Sequence, residues 1–146
     1  MDAEELLARL ERLLGTVKVG ILTTVDEGGF PRSRWMTPAV LKGLGGNIYS
    51  VTAPDSHKAA HIRERAQVEW TLQGTALDEV ITVIGEASLL QEPRMTAEVL
   101  EEIGPNLAVF WRANPDSRNL VVIETAIREI TCFLPIRNER HTAVVR

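Results

Sequence analysis

Only one cysteine, Cys132, stands in 146 residues. That excludes an intrachain disulfide framework and leaves no Cys pair for zinc or an iron–sulfur cluster, as a reducing cytosol permits. A basic excess is also missing: the net charge is -4 and the pI near 5.4. Without a basic face there is no counterion-release term, so a general nucleic-acid or membrane-surface binder is not expected. No apolar stretch approaches the ~20 residues that span a bilayer. Residues 1–14 alternate acidic and leucine positions instead of showing a basic segment before an apolar run, so no signal peptide is expected and the cytoplasm is the predicted location. No Ser stands in a Gly-x-Ser-x-Gly turn and Cys132 lies in an apolar run, so covalent hydrolase chemistry has no support. Internal repeats and low-complexity segments are absent.

The length suits a single domain over residues 1–146, large enough to bury roughly 68 to 70% of its unfolded surface. Leu6, Leu10, Leu13 and Leu14 recur at helical spacing, with Asp2 and Glu5 as a capping box and Gly15 as the stop. The β-branched run 17–24, the Asp26-Glu27-Gly28-Gly29 turn and residues 30–37 predict a hairpin, with Pro31 and Pro38 placing its second strand at an edge or bulge. Residues 40–44 and 48–52 around Gly45-Gly46-Asn47 predict another hairpin, making the first half an antiparallel meander. A helix over 55–65 follows, then strands at 68–72 and 80–90, with Gly85 as a bulge or barrel corner. A helix over 95–103 ends at Gly104-Pro105, a shorter piece carries Phe110 and Trp111, and strands at 120–124 and 127–135 close the chain. The expected fold is mainly β, a six- to seven-stranded antiparallel barrel with short flanking helices.

The chemistry concentrates in Thr52-Ala53-Pro54-Asp55-Ser56-His57-Lys58, which leaves a strand and opens a helix. Unpaired N–H groups and the positive dipole end of a first helical turn favour an anion, and Ser56 and Lys58 add a hydroxyl and a charge. On the earlier strand, Arg32, Arg34 and Met36 face one way and Ser33, Trp35 and Thr37 the other. Arg34 offers a bidentate fork that Lys58 would complement as a point charge. The plain alternative is an ordinary N-cap at Asp55 or Ser56 with solvated cations. His57 and His61, four apart on one helix face, lack a zincin Glu and a third ligand, so they read as surface histidines and not as a metal site. Trp35, Trp70 and Trp111 are suited to wall a planar ligand, although packing is the role expected of at least two.

Taken together, Val19-Gly20-Ile21-Leu22-Thr23-Thr24-Val25-Asp26, Arg34-Trp35-Met36-Thr37-Pro38, the Thr52 to Lys58 segment and Val83-Ile84-Gly85-Glu86-Ala87 resemble the pyridoxamine 5'-phosphate oxidase-like family, and within it the general stress protein 26 group. The resemblance covers residues 17–90 well and 116–123 more loosely. It implies an FMN-binding split barrel, a homodimer with two flavin sites at the subunit interface. Arg34, Trp35, Met36 and Thr37 match the family's first FMN strand, whose backbone faces the isoalloxazine edge and whose Arg approaches the phosphate; Val51 and Thr52 match the second. Ser56, His57 and Lys58 match its Ser-Arg-Lys phosphate turn, with His57 replacing the Arg. An imidazole gives one donor where a guanidinium gives a charged fork, which implies weaker, pH-dependent phosphate binding.

Two further departures bear on function. Val80 stands where true pyridoxamine phosphate oxidases carry a flavin-contacting Gln, and their Arg-Leu-x-Pro signature is not found near the C-terminus, so vitamin B6 oxidation is not expected. The resemblance implies an FMN-dependent oxidoreductase that moves hydride or electrons between a reduced nicotinamide and an unidentified small acceptor. Its rivals are a non-catalytic module holding FMN, another flavin-like cofactor or haem for sensing or stress response, and a split barrel that has lost its cofactor.

Overall fold

The computed structural model describes residues 1–104, 112 and 119–145. Phe110, Trp111 and the 116–118 part of the looser match lie outside them. Among the described residues the elements run α1 (Ala3–Thr16), β1 (Gly20–Val25), β2 (Pro31–Met36), β3 (Asn47–Thr52), α2 (His57–Glu64), β4 (Gln67–Gln73), β5 (Val80–Leu90), α3 (Pro93–Ile103), β6 (Val121–Leu134) and β7 (Glu139–Val144). The seven strands form one antiparallel sheet in the order β2-β1-β4-β5-β6-β3, with β7 beside the second half of β6. The fold is mainly β, a split barrel with short helices, as expected.

Local chemistry explains most of the elements. Asp2 accepts the Glu5 N–H at 2.9 Å and the Glu5 carboxylate accepts the Asp2 N–H at 3.1 Å, closing the capping box of α1. The helix passes Gly15 and stops after Thr16, with Val17 extended at its C-cap. Its leucines Leu6, Leu10, Leu13 and Leu14 enter the main core with Leu22, Trp70, Leu72, Ile81, Val83 and Ile130. Each such burial is worth about 1.5–3 kcal/mol before chain entropy is counted. The Trp70 indole N–H donates to Thr125 Oγ1 at 3.1 Å inside this core, so its one polar group is satisfied. A second cluster, Tyr49, Val51, Val99, Ile103 and Val122, packs α3 on the outer side of β3 and β6.

Three expectations need correction. Residues 40–44 form no strand; just before them an isolated bridge joins Ala39 and Tyr49 by hydrogen bonds of 2.7 and 2.8 Å, and Leu41 packs beside Tyr49 and Val51. β3 then pairs along its length with β6, Asn47 opposite Ala126 through Thr52 opposite Val121, so the first half is not a meander. The expected strands at 120–124 and 127–135 are one strand, β6, because Thr125 and Ala126 stay in register with Ile48 and Asn47. The sheet irregularity does fall at Gly85, but the extra residue is Arg128 on β6: Ile84 faces Glu129 and Gly85 faces Ile127.

This topology creates the opening. β2 and β3 are the two ends of the sheet path: β2 pairs with β1 and β3 with β6, the far side of β3 being met by the Ala39 bridge at Tyr49. α2 follows β3 directly and packs on β1 and β5 through Ala59 and Ile62. The two strands expected to carry the cofactor residues are therefore the two end strands of the sheet path.

Candidate functional site

The start of α2 is set by Ser56, not Asp55. Ser56 is extended, its Oγ accepts the Ala59 N–H at 3.2 Å, and its carbonyl accepts the Ala60 N–H at 3.2 Å. The N–H groups of His57 and Lys58 have no acceptor among the described residues. Lys58 turns back to β3, donating to Thr52 Oγ1 at 3.1 Å, and Thr52 in turn donates to Ser56 Oγ at 3.2 Å. Ser56 Oγ thus accepts twice and keeps its own proton to give.

From the opposite edge, Arg34 faces inward with Met36, while Trp35 points out. Arg34 Nη1 donates to Leu22 O at 3.2 Å and to Thr24 Oγ1 at 2.8 Å. Thr24, fully buried, also lies 2.8 Å from His61 Nδ1. Burial lowers Arg34 from its ordinary value. Lys58 is lowered by burial first and then by the like charge of Arg34. Among the described residues neither cation has a carboxylate partner. Two partly buried positive charges, of which Arg34 disfavours the charge on Lys58, stand beside two N–H groups without an acceptor among the described residues, an arrangement suited to an anion with several acceptor oxygens.

Arg34, His57, Ala60 and His61 line an open cleft of about 550 Å³ between α2 and the β1–β2 turn, together with Asp26, Glu27 and Arg32. Asp26 accepts the N–H groups of Gly28 and Phe30 at 2.9 Å each and pairs with Arg32 at 2.7 Å. These bonds, Arg32 first, hold its carboxyl below the usual range.

The structure thus brings together Arg34, Thr52, Ser56, His57 and Lys58 of the expected residues. It does not bring the rest to the same point through their side chains. Met36 is in the main core, Val51 packs against α3, and Thr37 lines a separate cavity of about 100 Å³ with Leu14, Pro38 and Ile103. Trp35, 44% exposed, faces Ile21 on the outer side of the sheet. Cys132 sits far along β6 with Arg9 and Glu79, where burial pushes its thiol up. No cluster of three metal-ligating side chains occurs among the described residues. No helix among them is long and apolar enough to cross a membrane.

The sequence profile of the pyridoxamine 5'-phosphate oxidase family matches residues 6–132. The chain belongs to this family. No curated protein matches it. Among solved structures, a Clostridium acetobutylicum protein related to general stress protein 26 has a TM-score of 0.76 at 11% identity, covering 97% of this chain and 96% of its own. General stress protein 26 from Bacillus anthracis has a TM-score of 0.72 at 20% identity, covering 94% and 98%. A pyridoxamine 5'-phosphate oxidase-related, FMN binding protein from Nostoc punctiforme has a TM-score of 0.68 at 14% identity, covering 99% and 96%. These likenesses bear out the fold, and general stress protein 26 structures are among those that share it.

Against this family frame, sequence reasoning missed Thr24 and gave His61 a surface role. A threonine in a β-branched strand carries no signal of its own, and its link to His61 spans 37 positions. The inward parity of Thr24 with Leu22 was the one available hint.

Proposed function

We propose that the protein binds FMN at the open edges of its barrel and acts as an oxidoreductase, moving hydride or electrons between a reduced nicotinamide and a small acceptor. The observation that carries this reading is the pair Arg34 and Lys58, two partly buried cations with no carboxylate among the described residues. A phosphate monoester dianion would accept from the Arg34 fork, the Lys58 ammonium, the Ser56 hydroxyl and the N–H groups of His57 and Lys58. The outer edges of β2 and β3, with Trp35, Met36, Val51 and Thr52 on the strands and Thr37 just past β2, would offer main-chain groups to the polar rim of a flavin ring. FMN, when bound, supplies the two-electron chemistry, and the protein supplies binding and orientation. Family membership and the Nostoc punctiforme FMN binding protein support the choice of cofactor.

The functional unit in this reading is a homodimer. Trp35, Ile21 and Ile84 share the outer face of the sheet at 44%, 39% and 41% exposure, an apolar surface that a second copy would cover. Sedimentation at micromolar concentration should give twice the chain mass, and a monomer would remove this part of the proposal.

The deciding experiment is titration of FMN into flavin-free protein, followed by reduction with a nicotinamide cofactor and reoxidation with a panel of small acceptors. Saturable quenching of flavin fluorescence at one FMN per chain and acceptor-dependent turnover are expected. Quenching without turnover would leave a flavin-binding protein and not an enzyme. No quenching would sink the site.

A further inference from the structure

We propose that His61 is a phosphate-binding residue of this site, with its donor proton aimed into the cleft by Thr24; the inference rests on the FMN reading. Thr24 Oγ1 lies 2.8 Å from both Arg34 Nη1 and His61 Nδ1 and is wholly buried. A guanidinium only donates, so Thr24 accepts from Arg34. Its own hydroxyl proton then has one acceptor among the described residues, His61 Nδ1. A neutral imidazole that accepts at Nδ1 carries its proton on Nε2. The hydroxyl therefore fixes two things at once: one nitrogen of Arg34, and the tautomer and orientation of His61.

His61 lines the cleft with Arg34, and no other described residue takes its Nε2–H. Of the carboxylates that line it, Asp26 is occupied by Arg32 and by two backbone N–H groups, which leaves Glu27 on the exposed turn. A tetrahedral phosphate held by the free N–H groups of Arg34 presents further oxygens on its outer side, and the His61 Nε2–H is a neutral donor suited to one of them.

The test compares FMN with riboflavin, which lacks the phosphate, in the full flavin-free protein by fluorescence quenching. Asparagine places a polar atom near Nδ1 only, and glutamine near Nε2. His61→Asn is expected to weaken FMN about tenfold while riboflavin moves by less than about twofold, and His61→Gln to keep FMN within about threefold of wild type. Thr24→Val should weaken FMN selectively as well, since both Arg34 and His61 lose their shared anchor. Thermal unfolding without flavin checks that each variant is folded. Unchanged FMN affinity in His61→Asn would overturn the proposal, as would equal loss of FMN and riboflavin. A wild-type protein that binds FMN no better than riboflavin would overturn the phosphate reading itself, and this inference with it.

Discussion

Arg34 on β2 and Lys58 on α2 converge across the open edges of the barrel with no carboxylate between them among the described residues, and the guanidinium adds to burial in disfavouring the Lys58 ammonium. Surface cations are ordinarily solvated or paired. Here one nitrogen of Arg34 is tied to Leu22 and Thr24, and Lys58 is tied to Thr52, so neither side chain swings freely away from the other. The arrangement costs folding energy unless an anion joins it.

Removal of either charge should therefore weaken FMN specifically. Arg34→Ala and Lys58→Ala are each expected to cost roughly 1.5–3 kcal/mol of FMN binding, the scale of a hydrogen bond to a charged group. Riboflavin affinity should change far less. Unchanged FMN affinity in both variants would show that the phosphate lies elsewhere.

The same strain predicts an opposite effect on the empty protein. Lys58→Met keeps the aliphatic stem and removes the charge, so it should raise the melting temperature of flavin-free protein at neutral pH while weakening FMN binding as Lys58→Ala does. The sign with pH follows from the lowered Lys58 value. The unfolded chain holds this proton more tightly than the folded one, so stability rises with pH between the folded value and about 10.4. The penalty is fully present below the folded value and gone above the unfolded one. The advantage of Lys58→Met over wild type should accordingly shrink as pH rises through that alkaline window. A gap that stays constant with pH would mean that Lys58 is not the cause.

Asp26 behaves in the reverse sense. Its carboxylate is lowered by Arg32 and by the N–H groups of Phe30 and Gly28, so the stability it lends the β1–β2 turn is present above the ordinary carboxylate range and lost as pH falls through its folded value. NMR titration should place the Asp26 carboxyl below the ordinary carboxylate value, and Arg32→Ala should move it back up. An Asp26 that titrates at the ordinary value would contradict the hydrogen bonds at this turn.

How far the sequence reveals this arrangement depends on the range over which each signal acts. Signals confined to a few residues were legible: the Asp2–Glu5 capping box, the Asp26 turn and a cap at Asp55 or Ser56 follow from local geometry, whereas at Gly85 the glycine marked the place of the irregularity and not the extra residue on β6. Strand partners were not. Residues 48–52 read as a strand, and only the assembled sheet decides that Val51 faces Val122 of β6 and not the preceding segment. The same holds at the site. Arg34, Ser56 and Lys58 stood out by residue type, whereas Thr24 and His61 gain meaning only when β1 and α2 are brought together.

Gly85 gives a last, structural test of the sheet. Opposite it β6 carries the extra residue Arg128, which draws the chain so close that a Cβ at position 85 would run into the carbonyl oxygen of Ala126, with the Thr125 methyl also near. Backbone cannot yield as a flexible side-chain tip can, so Gly85→Ala is expected to destabilise by about 1–3 kcal/mol, the usual cost of overpacking. Gly15, with open space around its Cα, is the matched control: Gly15→Ala lies within α1 and should be neutral or stabilising by up to about 1 kcal/mol. Chemical denaturation of the two variants distinguishes them directly. Equal stability in Gly85→Ala and Gly15→Ala would mean that β5 and β6 can separate at the bulge without loss, and that the close approach there does not hold the barrel in shape.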